Sequence, residues 1–178
     1  YLVLLTPKLN EVKVSGVQSD IAEVVLELFN KRMEAGDFSE ATWNLYFEKI
    51  QIVIDDLFAK SRIAAKGGSK IISWSENPVM IRKETEPAFI ARAVQLAKQE
   101  QIYLVLSYSI SLGTDPTKAP KEKLWSTKVI IIDPMGKVES TYRKTILVPG
   151  TEATYAAGGN DKAIVVNTPY GRISSLIC

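Results

Sequence analysis

One stretch constrains the fold more than any other. Trp43, Tyr46, Phe47, Ile50, Val53, Ile54, Leu57 and Phe58 recur at intervals of three and four. That is the period of a single helix face, and a face this long and aromatic must be buried against something broad. Asp37 or Ser39 stands where an N-cap belongs, and Gly67-Gly68 where a helix stops. Residues 70–75 follow as a compact apolar run of strand length. A large amphipathic helix that feeds an apolar strand predicts helices layered on a sheet.

The rest of the chain repeats that logic. Residues 12–18 alternate apolar and polar, as a half-buried strand does. Ser19-Asp20 caps a helix predicted over 21–33, ending at Ala35-Gly36. Asn77-Pro78 breaks the 70–75 strand, and Thr85-Glu86-Pro87 opens another helix with proline in its first turn. That helix turns Phe89, Ile90, Ala93, Leu96 and Ala97 inward, and residues 102–110 form the next strand. Residues 113–123 are turn-forming and charged, which predicts an exposed loop. The turn Asp133-Pro134-Met135-Gly136 pairs 128–132, within a strand over 127–133, with 137–142 as a hairpin. From Lys144 to about residue 162 no regular element is predicted, and two strands, 163–167 and 172–177, flank Thr168-Pro169-Tyr170-Gly171. The order of strands and helices argues for a layered α/β domain.

Composition removes several function classes. There are 178 residues, no histidine, one cysteine and a formal net charge of +2. Without histidine there is no Ser-His-Asp or Cys-His machine, and most zinc sites are excluded. A single cysteine allows no internal disulfide. The basic residues form no stripe with interleaved aromatics, so nucleic acid is not an expected partner. Neither G-x-x-x-x-G-K-[ST] nor G-x-G-x-x-G after a strand is present, which argues against a nucleotide. No cofactor or metal is implied. The chain starts without methionine and stops at Cys178, in the middle of what reads as a buried strand from Ile173, and so reads as part of a longer protein. Residues 1–11 read as a leader or the stump of a membrane helix, although Tyr1–Leu5 alone is far too short to span a bilayer.

Three residues are candidates for chemistry. Glu76 closes the apolar strand Lys70–Ser75, and strand ends in α/β sheets are where sites are built. Lys144 follows Tyr142-Arg143, and Cys178 ends the run Ile173–Ile177. Singly, each has a bland explanation: a solvated carboxylate, a surface cation, an inert core thiol. Together they make a coherent set. A thiol is mostly protonated near neutral pH, and with no histidine a carboxylate must take its proton. Attack on an amide or nitrile carbon builds negative charge, which a fixed ammonium stabilises. The product is a thioester, which water or another nucleophile resolves.

The contexts carry a resemblance. A strand ending Trp74-Ser75-Glu76, the run Tyr142-Arg143-Lys144-x-x-Leu147-Val148-Pro149, and the strand Gly171-x-Ile173-x-x-x-Ile177-Cys178 occur in that order. This pattern resembles the nitrilase superfamily of carbon–nitrogen hydrolases, as does Val17-Gln18 in the first strand. The resemblance covers residues 12–178 and implies an αββα sandwich, incomplete at its carboxyl end. It gives Glu76 the role of general base, Lys144 that of stabilising the tetrahedral intermediate, and Cys178 that of nucleophile. Glu152 matches a second glutamate that orients the site in many members. Two positions depart from the pattern: Ser75 stands where proline is usual, and Gly150 where a hydrophobic residue often follows Leu-Val-Pro.

Within the superfamily, Leu147-Val148-Pro149-x-x-Glu152 and the apolar opening look most like the apolipoprotein N-acyltransferase branch. That branch implies phospholipid as acyl donor, a lipoprotein amine as acceptor, and attachment to an inner membrane. A soluble cytoplasmic amidase or nitrilase acting on a small amide stands beside it as the alternative enzyme, and a non-catalytic structural domain as the alternative class. A homo-oligomer is compatible with all three.

Overall fold

The computed structural model describes residues 11–37, 39–115, 117 and 121–177. The predicted leader falls outside them, except for Glu11, as does Cys178. The elements in chain order are β1 (Val14–Val17), α1 (Asp20–Glu34), α2 (Glu40–Lys66), β2 (Ile71–Trp74), β3 (Met80–Arg82), α3 (Glu86–Glu100), β4 (Tyr103–Ser111), β5 (Trp125–Ile132), β6 (Val138–Arg143), α4 (Thr151–Tyr155), β7 (Val166–Thr168) and β8 (Gly171–Ile173).

The long helix forms where its apolar period predicts. Ser39 caps α2 by accepting from the Thr42 amide at 3.3 Å, and Asp37 accepts from the Thr42 hydroxyl at 2.5 Å, so both candidate caps are used. Gly67 ends the helix, and Gly68 turns the chain away at φ +93°, a conformation costly for other residues. Trp43, Tyr46, Ile50, Val53, Ile54, Leu57 and Phe58 are buried, and Phe47 is half-buried beneath the Arg82 guanidinium. Pro87 stands in the first turn of α3, where its missing N–H costs nothing.

The main sheet runs in the order β1-β2-β4-β5-β6. β1, β2 and β4 are parallel, whereas β5 and β6 return as an antiparallel hairpin. The short strand β3, which the sequence did not predict, also pairs with β4 in parallel. β2 occupies the β4 edge as far as Val105, and β3 takes it up again at Ser109. The chain leaves the sheet between them, through residues 75–79.

The two faces of the sheet differ. Ile72, Trp74, Leu104, Leu106, Tyr108, Ile130 and Ile132 join α2 and α3 in one continuous apolar core. On the opposite face, Ile71, Tyr103 and Ile131 pack with Val166 and Ile173 of the β7–β8 ribbon. Helices, sheet and ribbon are thus three layers of the expected αββα order, and no second helical layer occurs among the described residues. Two expectations need correction. The strands predicted over 163–167 and 172–177 shrink to Val166–Thr168 and Gly171–Ile173, because they pair just with each other and residues 174–177 find no ladder. The stretch after Lys144 is not wholly irregular either, since α4 forms there.

Candidate active site

Glu76 and Lys144 are brought to one end of the sheet by topology. Glu76 follows β2, and Lys144 follows β6, which runs parallel to β2 because it is two reversals from β4. Ends of parallel strands are where α/β sheets form binding crevices. β2 is anchored just before the exit. The Trp74 indole donates to Ser61 Oγ at 2.9 Å, and its ring packs against Phe58 and Phe89.

The Lys144 backbone is held on both sides. Its N–H donates to the Thr127 carbonyl at 2.9 Å, and its own carbonyl accepts from Gly159 at 2.8 Å. Gly159 has to be bare, since a Cβ there would fall 2.5 Å from Arg143 Cβ and 2.8 Å from the Arg143 carbonyl oxygen. Asp161 completes the strap. It accepts from the Arg143 amide, Nε and Nη2, each at 2.9 Å, and these contacts hold its carboxyl down at about 2.

The Lys144 side chain is almost fully buried and lies between two carboxylates. Its Nζ donates to Glu152 Oε1 at 2.9 Å and to Glu76 Oε1 at 3.3 Å. Burial opposes the ammonium, but hydrogen bonds and charge from Glu152 and Glu76 outweigh it, and the lysine pKa stands above its ordinary value. The two acids are not equivalent. Burial pushes the Glu152 carboxyl up, yet the Val148 N–H at 2.8 Å and Lys144 more than offset this, leaving it below the ordinary value. Glu76 accepts one long bond among the described residues, its side chain is about half exposed (48 %), and it borders a cleft of about 630 Å³ walled by α1, to whose lining neither Lys144 nor Glu152 contributes. One carboxylate is engaged by two donors, and the other is accessible beside a fixed ammonium. A thiol brought beside the Glu76–Lys144 pair could lose its proton to Glu76, with Lys144 next to any oxyanion that forms.

Of the residues singled out from sequence, Glu76, Lys144 and Glu152 lie together, whereas Cys178 is outside the described residues. Its neighbour Ile177 is buried with Val129 and Tyr142, on the sheet face that also carries Lys144. The Arg143–Asp161 strap and Gly159 had no sequence signal beyond a Gly-Gly-Asn-Asp turn composition.

The residues 23–178 match the model of the carbon–nitrogen hydrolase family. The chain belongs to that family. Its fold is shared with solved amidase structures from Nesterenkonia sp. AN1. The amidase itself superposes with a TM-score of 0.56 at 19% identity, covering 72% of this chain and 51% of that one. A variant of the same amidase, carrying acrylamide on its active-site cysteine, gives 0.57 at 18% identity with the same coverage. A further variant, described as belonging to the nitrilase superfamily, gives 0.56 at 20%, covering 71% and 49%. The chain therefore spans about half the length of these relatives. No curated protein matches it in sequence. Among the described residues no helix is long and apolar enough to cross a membrane, and no group of acids could hold a metal ion.

Proposed function

We propose that the protein transfers acyl groups through a thioester, with Cys178 as nucleophile, Glu76 as general base, Lys144 as stabiliser of the oxyanion and Glu152 as the residue that orients Lys144. The observation that supports this reading is the unequal engagement of the two acids around one buried ammonium. Glu76 takes the thiol proton as sulfur bonds to the acyl carbon, and the oxyanion forms beside Lys144. Collapse breaks the carbon–nitrogen bond, and the leaving amine takes the proton from Glu76. Water or an acceptor amine then attacks the thioester, Glu76 removes its proton, and the thiol is restored.

A simple amide is the acyl donor we favour, because the solved relatives of this fold are amidases. The run Leu147-Val148-Pro149-x-x-Glu152 supports the second reading, an apolipoprotein N-acyltransferase that draws its acyl chain from phospholipid. Intact-protein mass spectrometry of the full-length protein separates the two. An adduct on Cys178 from amides selects the hydrolase, and one from phospholipid alone selects the acyltransferase. Glu76→Gln should slow acylation by roughly 10²–10⁴-fold. An adduct on any other residue, or an unchanged rate in Glu76→Gln, would overturn the assignment.

A further inference from the structure

Among the described residues, the break between β2 and β3 leaves the middle of β4 without a strand partner on that edge, at the level where Glu76 leaves the sheet. Ser107 lies in the break and is 5% exposed. It sits between Leu106 and Tyr108, both fully buried on the helix side, and its own side chain faces the other way. Its Oγ accepts the N–H of Asn77 at 3.0 Å. Asn77 adopts φ +49°, a left-handed conformation that asparagine tolerates better than most residues. On the other side of Glu76, the Ser75 N–H donates to the Val17 carbonyl at 3.0 Å. Glu76 is therefore suspended between two moorings, one from a strand backbone and one from a serine side chain.

We propose that Ser107 is a positioning residue for Glu76: its hydroxyl stands in for the missing ladder bond and fixes the peptide that aims the carboxylate at Lys144. This rests on the reading of Glu76 as the base. Among the described residues Glu76 has one long side-chain hydrogen bond of its own, to Lys144, so its direction depends on its backbone. If the Asn77 amide is released, the turn can rotate and the carboxylate with it. Glu152 would be unaffected, since its own two donors hold it. The fold should survive Ser107→Ala, because the change removes one oxygen and the freed amide lies in a turn that water can reach.

The test uses the full-length protein and p-nitrophenyl butyrate, an activated donor that reports acylation whichever natural donor applies. In Ser107→Ala the maximal acylation rate should fall by about 10–100-fold, the loss expected when a reacting group moves by about an ångström. The half-saturating concentration should stay within about twofold, because no binding contact is removed. Ser107→Thr, which keeps the hydroxyl, should recover most of the rate. Hydrogen exchange gives a readout that needs no turnover: the Asn77 amide should exchange at least about tenfold faster in Ser107→Ala, with β2 and β4 unchanged. An unaltered Asn77 amide overturns the proposal, and so does faster exchange spread over the whole sheet, which marks a merely structural role. Full acylation in Ser107→Ala with slow acylation in Glu76→Gln overturns the positioning role and leaves the base assignment standing. Wild-type acylation in Glu76→Gln overturns both.

Discussion

The two faces of the six-stranded sheet are built on different terms. The face beneath α2 and α3 is a continuous apolar core, where a side chain is held by many neighbours at once. The opposite face has small apolar patches under the β7–β8 ribbon, and beyond them hydroxyls and charges: Ser107, the Ser109–Thr127 pair at 2.7 Å, and Lys144 between its acids. On the first face, shape fixes position. On the second, each polar group is fixed by one or two directed bonds, so one substitution can move it. Reactive groups need direction more than cohesion, and the dry face supplies the rigid floor on which the directed bonds rest.

The largest effect should come from testing the floor. Ile130 and Ile131 are neighbours, both essentially inaccessible, and point to opposite faces. Ile130→Ala should cost about 2–5 kcal/mol in urea unfolding, as buried large-to-small changes do. Ile131→Ala should fall at the lower end of that range, because a two-stranded ribbon can settle into the space. Equal losses would show that the ribbon is packed as tightly as the helices, and the contrast between the faces would disappear.

Gly159→Ala probes the directed side. The added Cβ meets Arg143 backbone and Cβ, neither of which is the free end of a flexible chain. Overpacking of this kind costs about 1–3 kcal/mol. Its more telling effect should be on site geometry, with acylation lost in greater proportion than stability. A variant as active as it is stable would show that the strap does not position Lys144.

The smallest effect should be a pH dependence confined to the polar face. Glu152 titrates below its ordinary value in the folded chain, so its contribution is present above the usual carboxylate range and fades as pH falls through the folded value. Lys144 titrates above its ordinary value, so its contribution is complete below the usual lysine range and fades as pH rises through the folded value. Melting temperatures of wild type and Glu152→Gln should differ most between these limits and converge in acid. A gap that persists well below the carboxylate range would show that Glu152 contributes by packing and not by charge.

Much of this architecture is legible in the sequence because it is periodic or punctuated. Eight positions in a three-four rhythm specify α2, and Asp133 marks the β5–β6 turn, where it accepts from the Met135 and Lys137 amides at 2.9 and 2.8 Å. What stayed hidden is too short to have a period. β3 has three residues and α4 has five, too few for an apolar rhythm to show. The candidate acids and lysine were visible through their contexts. Their supports were not, since a serine between Leu106 and Tyr108 reads as an interruption in a strand, and an arginine next to a lysine reads as surface charge. Ile173–Ile177 misled for the opposite reason: apolar residues promised a strand, but a strand also needs a partner.

The shared use of β4 by β2 and β3 has a further consequence. Both strands are registered on the same neighbour, so the five residues 75–79 that join them span a fixed distance between two fixed points. The segment works as a ruler. Adding or removing a residue there need not disturb either ladder, since each is secured by its own pairing, but it would shift Glu76 off its mark. A protein altered in this way would keep its shape and lose its aim. As the family diverges, its chain lengths should drift in many places and hold their count in this one.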